Sequence, residues 1–364
     1  MDEGGVDVAR RRPAVRAVIV PLLVLALAIG TGWWASARDA DTRSSLTSGL
    51  DALPAGTQVA GFTDWAAIRS ALDLGRASSA AGRAALTDDA SLRDLTTRSV
   101  VGQAIDGMET LYGWSAADLD WEAYGQAAAG SAMVARLSGW VSLDAVKARL
   151  RTLGYTRSGG TWTLSPAGRA AVGPDLAATL GFVAVLERER IVVATDRPAY
   201  VPVVVGTIRG DRPSLLSVRP AADVASSLAG SDAALVQSPA IGCSTTSLAD
   251  KGADVQAQAA AALGRAGRLQ EPTFTGRGLV EGDPDQTITF ASAFRSPAVA
   301  ADQARVRAAL ARGPFVGRTG RVEDSLTGLV AGSQGSVTTL RFRLDPDRGT
   351  YLAGDGPLLF ASCP

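Results

Sequence analysis

The 21 residues from Ala17 to Ala37, AVIVPLLVLALAIGTGWWASA, carry no charge. Inside a bilayer every backbone N–H and C=O must be satisfied by protein, so a single run of this kind has one regular structure open to it, the α-helix. At 1.5 Å per residue the helix is about 31 Å long, which matches a hydrocarbon core of about 30 Å. Arg10, Arg11, Arg12 and Arg16 precede the run, whereas Arg38 and Arg43 beyond it are mixed with Asp39 and Asp41. By the positive-inside rule, residues 1–16 are expected in the cytoplasm, 17–37 across the membrane, and the rest outside. Trp33 and Trp34 fall at the outer headgroup level, and Pro21 sits near the N-terminal end, where lost backbone bonds are most easily replaced. The competing reading is a cleaved signal peptide, because Ala35-Ser36-Ala37 is an A-x-A site after a basic stretch. The apolar run exceeds the usual h-region length and favours an anchor; both readings export the same domain.

Export changes what the two cysteines imply. In an oxidising compartment an even pair forms a disulfide, so Cys243 and Cys363 are expected to bond and close a loop of about 120 residues. The chain contains no His at all. Ser-His-Asp and Cys-His nucleophile systems, His-based zinc sites and imidazole general bases therefore cannot be assembled from it. Two thiols are too few for a Cys-only zinc or iron–sulfur centre. Lys plus Arg equals Asp plus Glu, 36 against 36, so no basic field exists to draw in a phosphate backbone, and nucleic acid is excluded as a partner. With 46% hydrophobic and 20% charged residues, the exterior has ample material for a core.

Residues 38–52 are mostly polar and read as a linker, with folded structure expected from Leu53-Pro54 onward. Thr57 to Thr63 suits a strand, and Asp64-Trp65 opens an amphipathic helix bearing Trp65, Ile68 and Leu72. Ser115 and Asp118 have capping-box spacing, which predicts a further helix through Leu119, Trp121 and Tyr124. Two stretches then resemble each other. In one, AMVARL (132–137) leads to Ser142, a helix with Val146 and Leu150 on one face, Gly154 and Tyr155. In the other, TITFASAF (287–294) leads to Ser296-Pro297, a helix through Val299, Val306 and Leu310, Gly313 and Phe315. Each is followed by hairpin-like sequence, at 182–196 and 326–344, turning around Arg188-Glu189 and within Gly332–Gly335. The order predicts an α+β exterior of antiparallel sheets covered by helices on one face, in two diverged halves, 53–220 and 221–364. Chance similarity of two such units is the competing explanation.

No catalytic, cofactor or metal motif stands out. GRGLVEG (276–282) misses the dinucleotide fingerprint by one glycine spacing and reads as strand or loop. Neither Lys147 nor Lys251 has Ser three residues before it, so a Ser-Lys dyad is missing. Carboxylates are the remaining acid–base material. Within ADLDWEAY, read as helical, only Asp118 and Glu122 share a face, and Asp118 already serves as a cap partner. Asp283-Pro284-Asp285 and Asp345 to Gly349 lack a full calcium-loop ligand set and read as turns. Trp65, Trp114, Trp121, Trp140 and Trp162 all fall in the first half, where core packing competes with a ligand-stacking platform.

A short basic N-terminus, one span, a polar linker and an Ala-rich α+β exterior together resemble the single-span envelope proteins of high-GC Gram-positive bacteria. That resemblance is architectural and transfers no functional residue. It fits a non-catalytic binding, sensing or scaffold module at the membrane, whose partner would be an envelope lipid, a glycan or a protein. A carrier of a hydrophobic ligand and a carboxylate-based hydrolase are the alternatives. Protease added to intact, wall-stripped cells is expected to degrade the exterior and leave a small membrane stub, visible on an anti-N-terminal blot. Full protection of the exterior would reverse the assigned topology, and release without a stub would mean signal-peptide cleavage.

Overall fold

A computed structural model of the chain describes Met1 and residues 45–248, 251–282, 285–344, 351–352 and 358–363. The span Ala17–Ala37, Asp283-Pro284 and Asp345 to Gly349 lie outside the described residues. Among those described, no helix is long and apolar enough to cross a membrane. Thr42–Pro364 form one compact unit.

The described residues form twelve strands, alternating apolar and polar toward the sheet edges and apolar on both faces at its centre: β1 (Thr57–Thr63), β2 (Leu119–Ala127), β3 (Gly130–Leu137), β4 (Tyr155–Ser158), β5 (Thr161–Leu164), β6 (Phe182–Leu186), β7 (Ile191–Thr195), β8 (Ala233–Gln237), β9 (Phe274–Val280), β10 (Gln286–Ala293), β11 (Leu326–Gln334) and β12 (Val337–Leu344). They join in one antiparallel sheet with the order β11-β12-β10-β9-β8-β1-β2-β3-β7-β6-β5-β4. Between and before them run α1 (45–51), α2 (Trp65–Ala71), α3 (Ala80–Leu92), α4 (Ile105–Tyr112), α5 (Leu143–Thr152), α6 (Pro166–Val172), α7 (Pro174–Thr179), α8 (Val201–Ile208), α9 (Arg219–Ser227), α10 (Pro239–Thr246), α11 (Ala253–Ala266) and α12 (Pro297–Leu310).

The expected α+β mixture of helices and antiparallel strands is present. Its arrangement departs from expectation in two ways. The strands form a single sheet, and helices cover both of its faces. Successive strand residues divide between two cores, as a pleat requires: Met133 and Ala135 face one side, Ala132 and Val134 the other. The first core takes Trp65 and Ile68 of α2, Met108 of α4, Leu150 of α5 and Val306 of α12. The second takes Leu46 and Leu50 of α1, Val204 of α8 and Val224 of α9. Residues 45–52, read from sequence as linker, therefore belong to the fold, since Leu46 and Leu50 are fully buried. The polar spacing of RSSLTSGLD hid an amphipathic turn whose apolar positions are four apart.

From the central β1–β8 pair outward, one side reads β1-β2-β3-β7-β6 and the other β8-β9-β10-β12-β11. That is the order a two-fold through the β1–β8 pair would generate. In both halves a hairpin leads to a Ser-capped helix, with Ser142 accepting from Ala145 N and Ser296 from Val299 N. A closing hairpin follows, whose second strand pairs back on the first. The first half carries β4, β5, α6 and α7 as an insertion. GRGLVEG lies on β9 and at its exit, and its glycines let α9 and the segment after it approach: a Cβ at Gly276 would meet Val224 Cγ1 of α9 at 2.6 Å, and one at Gly278 would meet Ser231 Oγ, beyond the end of α9, at 2.1 Å.

The C-terminus is strapped to α10 and α12. Cys243 and Cys363 are bonded, with 5.2 Å between their Cα atoms. Arg307, 1% exposed, donates to the carbonyls of Phe360 (2.8 Å), Ser362 (3.0 Å) and Gln270 (3.2 Å) and has no carboxylate partner among the described residues. Burial lowers its pKa to about 10. One turn earlier, Gln303 bonds Gln270 N and Arg268 O, so two polar residues on one helix face hold two chain segments. Phe360 completes an aromatic cluster, lying edge-on to Phe290 and tilted against Phe342. Replacing both cysteines by serine is expected to lower stability by about 3–5 kcal/mol, read by urea denaturation, because the 120-residue separation leaves a long loop to close. A loss below about 1 kcal/mol would show that Arg307 and Phe360 alone hold the strap.

Candidate functional site

The carboxylates that sequence offers as acid–base material turn out to organise the fold. ADLDWEAY is strand, not helix: the Ser115–Asp118 capping box closes a single 3-10 turn, Ala116–Asp118, and β2 begins at Leu119. A register shift between Leu119 and Trp121 turns Leu119 toward one core and Trp121 and Ala123 toward the other. Asp118 and Glu122 therefore do not form the helical pair expected. Asp118 accepts from Ser115 N (3.1 Å) and from Trp140 Nε1 (3.1 Å), while Asp120 accepts from Ser138 Oγ (2.7 Å).

Glu122 lies beneath α2, 1% exposed, and accepts from Val100 N (2.7 Å), Trp65 Nε1 (3.3 Å) and Ser99 Oγ. Burial raises its pKa, and those three donors act against the rise. Two more acids sit at the same end of the central strands. Asp64 caps α2 through Ala67 N, and its own N–H donates to Asp232 O (2.6 Å). Asp232 accepts from Glu281 N (2.7 Å), and Glu281 in turn pairs with Arg93 and accepts from Gln286 Nε2 (3.2 Å). Burial pushes Asp232 up to about 7, with the charges of Asp64 and Glu281 adding to the rise and the Glu281 N–H opposing it. Asp94 ties in the C-terminal region by accepting from Tyr351 N (2.9 Å) and Leu352 N (2.6 Å). Every one of these acids already holds backbone or side-chain donors, which is the bonding of a structural network. Among the described residues no group of three or more His, Cys, Asp or Glu is placed to hold a metal ion.

Of the five tryptophans among the described residues, Trp65, Trp114, Trp121 and Trp162 are buried core residues. Trp140, 41% exposed, is covered by the guanidinium groups of Arg69 (5.5 Å) and Arg76 (4.9 Å), which occupy the face that a stacking ligand would need.

Space for a ligand opens elsewhere, in the second half. A trough of about 410 Å³ lies between α11 and the end of α12 and is also lined by residues 314–316. Its size falls in the range of small-molecule sites, about 300–1,000 Å³. Ala262, Ala266, Leu310, Phe315, Val316 and Leu359 form an apolar floor, and Arg265 and Arg312 stand at it exposed. Neither arginine has an ion-pair partner among the described residues, and the lining contains no carboxylate. A second groove of about 490 Å³ lies between α8 and the β5–β6 edge; there Arg157 and Arg209 are accompanied by Asp211. A general acid–base pair of carboxylates lines neither groove. Sequence reasoning missed the trough, although the signal exists: Gln258, Ala261, Ala262, Arg265 and Ala266 recur at helical spacing.

No protein-family model and no curated protein matches this chain. Two crystal forms of TP0453 are similar to it in fold: form III at 9% identity and a TM-score of 0.40, form I at 8% and 0.39. Each covers 82% of this chain, against 95% and 94% of the other.

The carboxylate network makes stability depend on pH with a definite sign. In the unfolded chain Asp232 titrates near 3.9, and in the folded one near 7, so the folded state holds an extra proton between those values. Its contribution to stability is therefore greatest below about pH 4 and declines as pH rises to about 7. Asp232→Asn keeps an oxygen for the Glu281 N–H and removes the charge. The variant is expected to exceed the parent by about 2–4 kcal/mol at pH 8 and to match it near pH 4, by chemical denaturation at both values. Equal parent-to-variant differences at both pH values would refute the assignment.

Proposed function

We propose that this chain is a non-catalytic binding module of the cell envelope, held at the membrane by residues 17–37 and displaying 42–364 outside the cytoplasm. One observation carries the reading. The trough has an apolar floor and two cations without an ion-pair partner among the described residues, and no pair of carboxylates lines it. The residues that could have supplied acid–base chemistry, Asp64, Glu122 and Asp232, spend their acceptor capacity on holding α2, β8 and the 99–101 segment in place. With no His in the chain and both thiols in a disulfide, neither an imidazole-activated nor a thiolate nucleophile can be assembled. The apolar floor also supports a second reading, a carrier that exchanges a hydrophobic envelope ligand.

Full-length protein in lipid nanodiscs, exposed to envelope lipid extract and to cell-wall fragments and then washed, is expected to retain a compound of unaltered mass. Empty nanodiscs give the background, and mass spectrometry reads both binding and conversion. Time-dependent conversion that stops on replacing a single Asp or Glu by Ala would overturn the reading in favour of a hydrolase. Tryptophan emission reports only on the first half, since none of the seven tryptophans lies beyond Trp162.

A further inference from the structure

The α11 residues that line the trough, Gln258, Ala261, Ala262, Arg265 and Ala266, occupy positions i, i+3, i+4, i+7 and i+8. They form one continuous helix face. Alanine there keeps the helix surface close to its backbone, so a channel remains where larger side chains would interlock with α12. Ala259 is the buried residue of α11, and Val255, Ala262, Leu263 and Ala266 pack half-buried against the first core. At the end of α12, Leu310 and Phe315 supply the deeper part of the floor, and Arg318 lies over the outer face of the Phe315 ring at 4.9 Å.

The polarity of this lining discriminates between ligands. Gln258 is its one uncharged polar side chain, so a sugar ring or a nucleobase would lose hydrogen bonds to water that the trough cannot replace. An acyl chain loses none. Arg265 and Arg312 then favour an anion, and Glu323, whose carboxylate reaches the residue after Arg312, is committed elsewhere: it accepts from Gly313 N (2.7 Å) and lies 3.6 Å from Arg321. Guanidinium groups match a carboxylate in shape and offer paired donors to it.

Building on the binding-module reading, we propose that the α11–α12 trough binds a long-chain fatty acid as its carboxylate, with the acyl chain on the Ala262–Leu310–Phe315 floor and the head group at Arg265 and Arg312. Full-length protein in zwitterionic nanodiscs, irradiated with a diazirine-bearing palmitate, should carry label on peptides from α11 and from 309–316, and unlabelled palmitate should compete it away. Arg265→Glu with Arg312→Glu should cut that label at least tenfold, while Lys at both positions should retain most of it. Ala262→Trp, which fills the trough without changing charge, should block it as well and serves if the charge-reversed protein does not fold; an intact Cys243–Cys363 bond and parental near-UV circular dichroism report folding. Label confined to residues 17–37, or unchanged in the folded Glu and Trp variants, overturns the proposal. Equal labelling of the trough by a photoreactive lysophosphatidylcholine overturns the anion assignment. If the trough stays unlabelled while another envelope compound is retained unaltered, this inference falls and the module reading stands; if nothing is retained, both fall.

Discussion

The β1–β8 pair is the interaction on which the rest of this structure depends. Five residues of each strand, Val59 to Thr63 and Ala233 to Gln237, pair in antiparallel register and fuse two sets of strands into one sheet of twelve. Central strands of a sheet with both faces covered must be apolar on both sides, and Ala234, Leu235 and Val236 meet that demand. The same pairing brings Asp64 and Asp232, which flank the two strands, to one end of the sheet. Carboxylates that are distant in sequence thereby share a poorly solvated neighbourhood, and their protonation becomes coupled to folding.

A second set of contacts ties the chain's end to its middle. Arg307 is a buried cation whose two terminal nitrogens are held by carbonyl oxygens, an arrangement that tolerates its charge only while the C-terminal segment stays in place. The disulfide and Phe360 act on that same segment from either side of Arg307's contacts. Leu359, immediately before Phe360, contributes to the floor of the trough. The surface available to a ligand is therefore set by the same strap that stabilises the second half, so loosening the strap would alter the site's shape.

Acidic residues illustrate how weakly composition constrains chemistry. Lys plus Arg and Asp plus Glu balance over the whole chain, yet the two are segregated locally. Asp64, Glu122 and Asp232 are enclosed, whereas Arg265 and Arg312 stand beside an apolar floor with no ion-pair partner among the described residues. Charge balance excludes a chain-wide field and leaves room for a local one.

Sequence alone determined several things about this protein. An uncharged run of 21 residues is written at 17–37, and two cysteines have only each other to pair with. Ser142 and Ser296 cap helices, and hairpins follow them, because caps and turns are governed by neighbours a few residues away. Tertiary structure decided the rest. The Ser115–Asp118 box has the same local chemistry whether a helix or a strand follows it; burial of Trp121 and Ala123 against α1 and of Glu122 under α2 selected the strand. A buried Glu122 or Arg307 leaves no mark in sequence, since the partners that make each tolerable are as many as 57 residues away. The trough is legible only afterwards: an alanine-rich helix face has no meaning until α12 and Leu359 are set against it, because a cavity is a property of surfaces brought together.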